Sequence, residues 1–161
     1  MKKVSYLILL TCLISVSAHA QKEEAKVTEV INRLFTAMAT ADSSLLRTAF
    51  SEDVTMASIY KNKEGKQMVT RETSINDFVT SVGKSQSGVL AEEIWNVQVQ
   101  IDRDFAQVWC DYAFYYQKKF SHCGVDAFHL VKTTEGWKIF HLADTRWREG
   151  CHVPDEIQNK Y

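Results

Sequence analysis

Residues 108–148 read VWCDYAFYYQKKFSHCGVDAFHLVKTTEGWKIFHLADTRWR. Aromatic and β-branched residues dominate this stretch and charged, turn-forming clusters interrupt it twice, which predicts three long strands joined by two tight turns. Thr134-Glu135-Gly136 suits a three-residue hairpin loop with Gly136 in the left-handed region. Setting Thr133 opposite Trp137 then places His129 opposite His141, Phe128 opposite Leu142, Asp126 opposite Asp144 and Gly124 opposite Arg146. A loop centred on Lys118 sets Phe114 opposite His122 and Tyr112 opposite Gly124. Successive strand side chains point to opposite faces. One face therefore carries Cys110, Tyr112, Phe114, Tyr116, His122, Asp126, Phe128, Leu130, Phe140, Leu142, Asp144 and Arg146. The other carries Trp109, Ala113, Tyr115, Cys123, Val125, Ala127, His129, Val131, Ile139, His141, Ala143 and Trp147. Aromatic rings with a His, two Asp and an Arg gathered at one end are the composition of an apolar pocket with a few polar anchors.

Upstream, Val27, Val30, Ile31, Leu34, Phe35 and Met38 repeat at helical spacing and predict an amphipathic helix over 23–41. Asp42 caps a short second helix through Phe50, with Leu45, Leu46 and Phe50 inward. Strands follow over 54–60 and 67–71, then a third helix capped by Thr73 or Ser74 and carrying Ile75, Phe78, Val79 and Val82. The segment 83–88, GKSQSG, is a flexible loop suited to a lid. Residues 90–101 form a strand in which Trp95, Val97, Val99 and Ile101 alternate, and Asp102-Arg103-Asp104 turns it into the 108–148 stretch. The polar tail after Gly150 is expected to be loosely ordered. Helices early and strands late indicate an α+β fold, a cone-shaped curved antiparallel sheet wrapped around about three N-terminal helices.

A chain of 161 residues, 45% of them apolar, fits one domain with a sizeable core. The formal charge of −1 and the lack of a basic stripe argue against nucleic acid as a partner. Lys2 and Lys3, the mostly apolar run 4–16 and Ala18-His19-Ala20 have the form of a cleaved signal peptide. The expected organisation is residues 1–20 as leader, cleaved after Ala20, and 21–161 as a single exported, periplasmic domain. No later stretch has the length of a membrane helix. Cys110, Cys123 and Cys151 remain in that domain. Cys110 reads as a small buried residue. The tail places Cys151 where it can fold back toward Cys123, a possible disulfide in an oxidising compartment.

The segments VINRLFTAMATAD (30–42), IDRDFAQVWCDYAFY (101–115) and FSHCGVDAFHLVKTTEGWKIFHLADTR (120–146) carry a family likeness. The chain resembles the nuclear transport factor 2-like superfamily, which includes ketosteroid isomerases and SnoaL-type polyketide cyclases. Within it the chain is most similar to small exported bacterial proteins labelled lumazine-binding. The resemblance covers nearly all of the mature chain and implies a cavity between the concave sheet face and the helices, with a dimer formed through the outer face. It implies no particular chemistry, since the isomerases' catalytic Tyr and Asp pattern does not map onto this sequence residue by residue.

Tyr112, Phe114, His122, Asp126, Phe128, Phe140, Asp144 and Arg146 are the candidate ligand-binding residues. Two facing carboxyls split their titrations, so Asp126 and Asp144 either supply a general acid/base or form a structural network that Arg146 neutralises. Ser121 and Cys123 flank His122 but alternate away from it, which leaves no evident nucleophile with a positioned base. The facing His129 and His141 have only apolar neighbours, so no metal site and no cofactor is read here. Three functions fit. One is a binding module for a small, partly apolar molecule. Another is an isomerase, cyclase or dehydratase using the Asp126/Asp144 pair. The last is a structural domain with a filled cone. The apolar second face predicts a homodimer.

Overall fold

The computed structural model describes residues 3–72 and 74–161, with side chains from Ala20 onward. Of the expected leader, residues 1–20, all side chains but that of Ala20 lie outside the described residues, as does Thr73, expected as a helix cap. Helix α1 (Lys3–Thr40) buries Val27, Val30, Ile31, Leu34, Phe35 and Met38, the stripe expected from their spacing. It ends where Ala41 takes a φ of 57°, and the Asp42 carboxylate accepts the Leu45 N–H at 2.8 Å to cap α2 (Ser43–Thr48). α2 stops short of the expected Phe50. The Ile139 N–H bonds the Ala49 carbonyl at 2.9 Å, drawing the chain into the sheet as β1 (Phe50–Lys61). β2 (Gln67–Glu72) pairs back on β1. In α3 (Asn76–Lys84), buried Ile75 holds the N-cap position and the Ser74 hydroxyl accepts the Asn76 N–H at 3.2 Å.

The segment 83–88 is not the lid expected from its composition. Its first two residues finish α3, and the Gly88 N–H is tied to the Ala39 carbonyl at 2.7 Å. No residue of 83–89 lines the cavity described below.

Four long strands complete the sheet: β3 (Leu90–Asp102), β4 (Phe105–Tyr116), β5 (Lys119–Thr133) and β6 (Gly136–Arg146). The order across it is β2-β1-β6-β5-β4-β3. Every neighbouring pair is antiparallel except β1 and β6, which run parallel. The sheet curves without closing, and the α1 stripe packs with Val108, Cys110, Phe128, Leu130, Trp137 and Ile139 in one core. At the α1 end, Glu23 is nearly buried. Lys132 and Lys26 each reach its carboxylate at 2.7 Å and the Trp137 indole N–H donates at 3.2 Å. Those bonds, Lys132 first, pull the Glu23 pKa down to about 2.

The three hairpins that join β3 to β6 have two-residue loops rather than the three-residue loops expected. Asp102 pairs with Phe105, Tyr116 with Lys119 and Thr133 with Gly136. Gln117 and Lys118 both take positive φ, 50° and 64°, as a type I′ turn requires. Each hairpin then carries one β-bulge, at 96–97 in β3, at Ser121 in β5 and at Phe140 in β6. Beyond the bulges the register is the expected one: Phe114 with His122, Tyr112 with Gly124, His129 with His141, Phe128 with Leu142 and Asp126 with Asp144. Between bulge and turn the faces are exchanged. Ile139 is fully buried in the core, while Phe140 packs on the outer face beside His129 and Phe105. In β3 the bulge parts Trp95, on the outer face, from Val99, on the inner.

The tail is ordered rather than loose. Cys123 and Cys151 are joined by a disulfide, with Cα atoms 6.0 Å apart. α4 (Asp155–Gln158) buries Ile157 against Ala113 and Tyr115, and Tyr161 stacks on Tyr115 at 4.0 Å.

Near the disulfide, β5 and β6 approach so closely that a Cβ on Gly124 would lie 1.8 Å from the Thr145 carbonyl oxygen. Tyr112 donates its hydroxyl to that oxygen at 2.8 Å, and the Thr145 hydroxyl accepts the Val125 N–H at 3.0 Å. Gly124→Ala should therefore force the strands apart and cost about 3 kcal/mol or more. Urea denaturation followed by tryptophan fluorescence will measure it, and an unchanged midpoint would refute the close approach.

Candidate functional site

The concave face and the helices enclose a cavity of about 420 Å³, within the range of small-molecule sites. Leu34, Phe35 and Met38 of α1, Phe78 and Val82 of α3, and Phe114, Phe128 and Leu142 of the sheet form its apolar wall, and Thr70, Glu72, Asp77 and Ser81 add polar groups to it. Its polar end gathers Ser58 of β1, Glu92 of β3, Tyr112 of β4, His122 and Asp126 of β5, and Asp144 and Arg146 of β6. Of the eight candidate ligand-binding residues, seven line this cavity; Phe140, the bulge residue, does not.

The polar residues divide into two groups. In the first, Asp144 is satisfied from several sides. Arg146 Nε donates to its Oδ2 at 2.6 Å, the Ser58 hydroxyl donates to Oδ1 at 2.6 Å, and the Tyr112 hydroxyl lies 3.4 Å from Oδ2. A second Arg146 nitrogen donates to Ser58 Oγ at 2.8 Å. Arg146 thus neutralises Asp144, two residues away on its own strand, one of the two carboxyls expected to be its partners.

The second group is Asp126 with Glu92, a residue that sequence reasoning missed. Asp126 is only 3% exposed, and among the described residues no N–H or O–H donates to its Oδ2. Burial, and then the adjacent Glu92 carboxyl, push the Asp126 pKa well above the usual carboxylate range. Burial likewise raises Glu92 to about 7, with Asp144 adding to the shift and Asp126 and Arg146 opposing it. A proton shared between Asp126 and Glu92 spares the site a second buried charge. Raised carboxyl pKa values of this kind suit proton transfer or hydrogen-bond donation to a guest.

His122 sits between the Tyr112 and Phe114 rings, with centroids at 5.7 and 5.1 Å, and burial lowers its pKa to about 4. It is neutral at physiological pH. The bulge turns Ser121 back so that its hydroxyl lies 3.0 Å from His122 Nδ1, a contact that strict alternation had excluded. A His of such low basicity is a weak activator of that hydroxyl. Burial also raises the Cys110 thiol far above its usual range, so it is inert.

On the outer face His129 and His141 stack at 5.5 Å, and the Thr55 hydroxyl lies 2.7 Å from His141 Nδ1. Among the described residues no group of three or more His, Cys, Asp and Glu is placed to hold a metal ion. No helix among them is long and apolar enough to cross a membrane.

Glu92 and Asp126 favour the protonated fold, so stability falls as pH rises from the unfolded carboxylate values toward the raised folded ones. Glu92→Gln should remove its part of that slope between pH 4.5 and about 7, and gain relative to wild type above that window. Urea midpoints taken across the window will read this. Parallel curves for the two proteins would mean that Glu92 is not desolvated.

Residues 22–142 match the family described as "Putative lumazine-binding". No curated protein sequence matches the chain. Among solved structures, a nuclear transport factor 2-like superfamily protein from Salmonella enterica is 19% identical, with a TM-score of 0.61, over 84% of this chain and 99% of that one. An ntf2-like protein with a cystatin-like fold from Novosphingobium aromaticivorans is 13% identical, with a TM-score of 0.65, over 86% and 90%. A third, described as a putative dehydratase from Streptomyces avermitilis, is 12% identical, with a TM-score of 0.60, over 80% and 98%. With the family match spanning most of the sequence, the chain belongs to the family described as "Putative lumazine-binding", and it shares the fold of these nuclear transport factor 2-like structures.

Proposed function

We propose that the protein is an exported binding module for a small, partly apolar, planar molecule held inside the cone. The observation that carries this reading is the cavity itself, about 420 Å³, with aromatic and aliphatic residues on its wall and a cluster of polar groups at one end. The family name points the same way, since it describes binding of a flat heterocycle. In this reading Tyr112, Phe114, Phe128 and Leu142 hold the flat body of the guest, and Asp126, Glu92, Asp144 and Arg146 face its polar edge. Export rests on the leader-like residues 1–20 and suits the Cys123–Cys151 bond.

A second reading, an isomerase, cyclase or dehydratase, draws on one observation. Burial and the neighbouring Glu92 favour the protonated form of the Asp126 carboxyl, as a general acid requires. Its partner in that role is Glu92 rather than Asp144, which Arg146 and Ser58 already occupy.

Protein purified from its own host should carry a stoichiometric small molecule detectable by native mass spectrometry. Leu142→Trp, which adds bulk inside the cavity, should lose it while keeping the wild-type circular dichroism spectrum. Retention of the same molecule by a well-folded Leu142→Trp variant would place the guest elsewhere.

We also propose a homodimer through the outer sheet face. Phe105, Trp109, Phe120 and Trp147 are 39–46% exposed there, more large apolar surface than a monomer usually shows to water. Light scattering should give twice the chain mass for wild type and a monomer for Trp109→Glu. A monomeric wild type at micromolar concentration would rule the interface out.

A further inference from the structure

We propose that the cavity selects a small organic cation, an amine or amidine on a flat or alkyl body, whose charged nitrogen replaces the proton between Asp126 and Glu92. The proposal rests on the binding reading above and names the class of guest.

Three observations carry it. The first is charge. Among the described residues the cavity is lined by the carboxyls of Glu72, Asp77, Glu92, Asp126 and Asp144, against one basic side chain, Arg146. That guanidinium is already committed to Asp144 at 2.6 Å and to Ser58 at 2.8 Å, so it offers little to an anionic guest. The second is the orphan oxygen. Asp126 Oδ2 is buried, belongs to a cavity-lining residue and lacks a donor. A guest N–H is the donor that geometry calls for. The third is the aromatic wall. Phe114, Phe128 and Tyr112 line the same cavity, and aromatic rings attract cations, more strongly when water is excluded.

The surroundings of the carboxyl pair fix the pH behaviour. β4 presents Tyr112 and Cys110, both held neutral by burial, and β5 presents His122, also neutral. β6 presents the mutually paired Asp144 and Arg146, while Asp77 of α3 and Glu72 of β2 lie on the cavity wall. α1 contributes only Leu34, Phe35 and Met38 to the wall. A cation therefore competes with the proton held by Asp126 and Glu92. Its affinity should rise with pH up to about 7, where Glu92 ionises, and fall by up to about tenfold for each unit below.

The test uses benzamidine, which stays cationic across this range, with neutral benzamide and anionic benzoate as isosteres of the same shape. Titration calorimetry on the purified protein at about pH 8 should give benzamidine at least about tenfold tighter than either isostere. At about pH 5.5 its affinity should drop, with proton release detected as a dependence on buffer ionisation enthalpy. Glu92→Gln should bring benzamidine to the level of benzamide and remove the pH dependence. Asp126→Asn should do the same if Glu92→Gln folds poorly, with circular dichroism confirming the fold of whichever variant is read. If benzamide or benzoate binds as well as benzamidine, the cation proposal is overturned and the cavity reading stands. If none of the three binds and no molecule co-purifies, both fall.

Discussion

Side-chain alternation along a strand is the constraint on which this site depends. With a period of two, a single inserted residue sends every side chain beyond it to the other face. The three two-residue turns, taken alone, would aim Glu92, Asp126 and Asp144 away from the cavity side of their neighbours. Each hairpin carries one bulge between its turn and the site, at 96–97, at Ser121 and at Phe140. Each bulge restores the parity that brings its carboxyl inward. The bulges also bend the strands, so the irregularity that aims the acids helps form the concavity that encloses them.

Aiming acids inward conflicts with their solvation, and the site resolves the conflict in two ways. Asp144 is held by hydrogen bonds from Arg146 and Ser58, with the Tyr112 hydroxyl nearby. Asp126 has no such partners, and burial and Glu92 push its pKa up. The Tyr112 hydroxyl links the two solutions. It reaches through the sheet to the Thr145 carbonyl at 2.8 Å, which is possible because Gly124 has no side chain to fill that gap. A glycine in mid-strand, unfavourable by propensity, is thereby explained by the close approach of another backbone.

The sequence made much of this legible, and the limits have a common cause. The α1 stripe, the order of elements and the pairing of Asp126 with Asp144 follow from periodicity. A three-residue loop and a two-residue loop plus a bulge both add one residue, so the far ends of the strands came out in the right register for either. Only residues between bulge and turn were exchanged, and Phe140 was the candidate lost that way. Glu92 was missed because unbroken alternation of Trp95, Val97, Val99 and Ile101 puts it on the face opposite Val99; the bulge at 96–97 brings Glu92, paired with Phe114, and Val99 to the same inner side. The available signal was Asn96, a poor strand former that takes a φ of 51° in the middle of β3. The parallel joint of β1 with β6 joins strands about ninety residues apart, a pairing local pattern cannot encode.

The bond between Cys123 and Cys151 spans 28 residues, and those residues include most of β5 and all of β6. Even when every hydrogen bond of the sheet is broken, the oxidised chain remains a closed ring with Asp126 and Asp144 on the same loop. Closing a ring of that length removes roughly 3–4 kcal/mol of chain entropy from the unfolded ensemble. Refolding of the oxidised protein thus starts with the two strands that carry the site already confined to one small volume. The reduced chain has to bring them together by diffusion, so the redox state of a bond outside the cavity governs how readily the cavity forms.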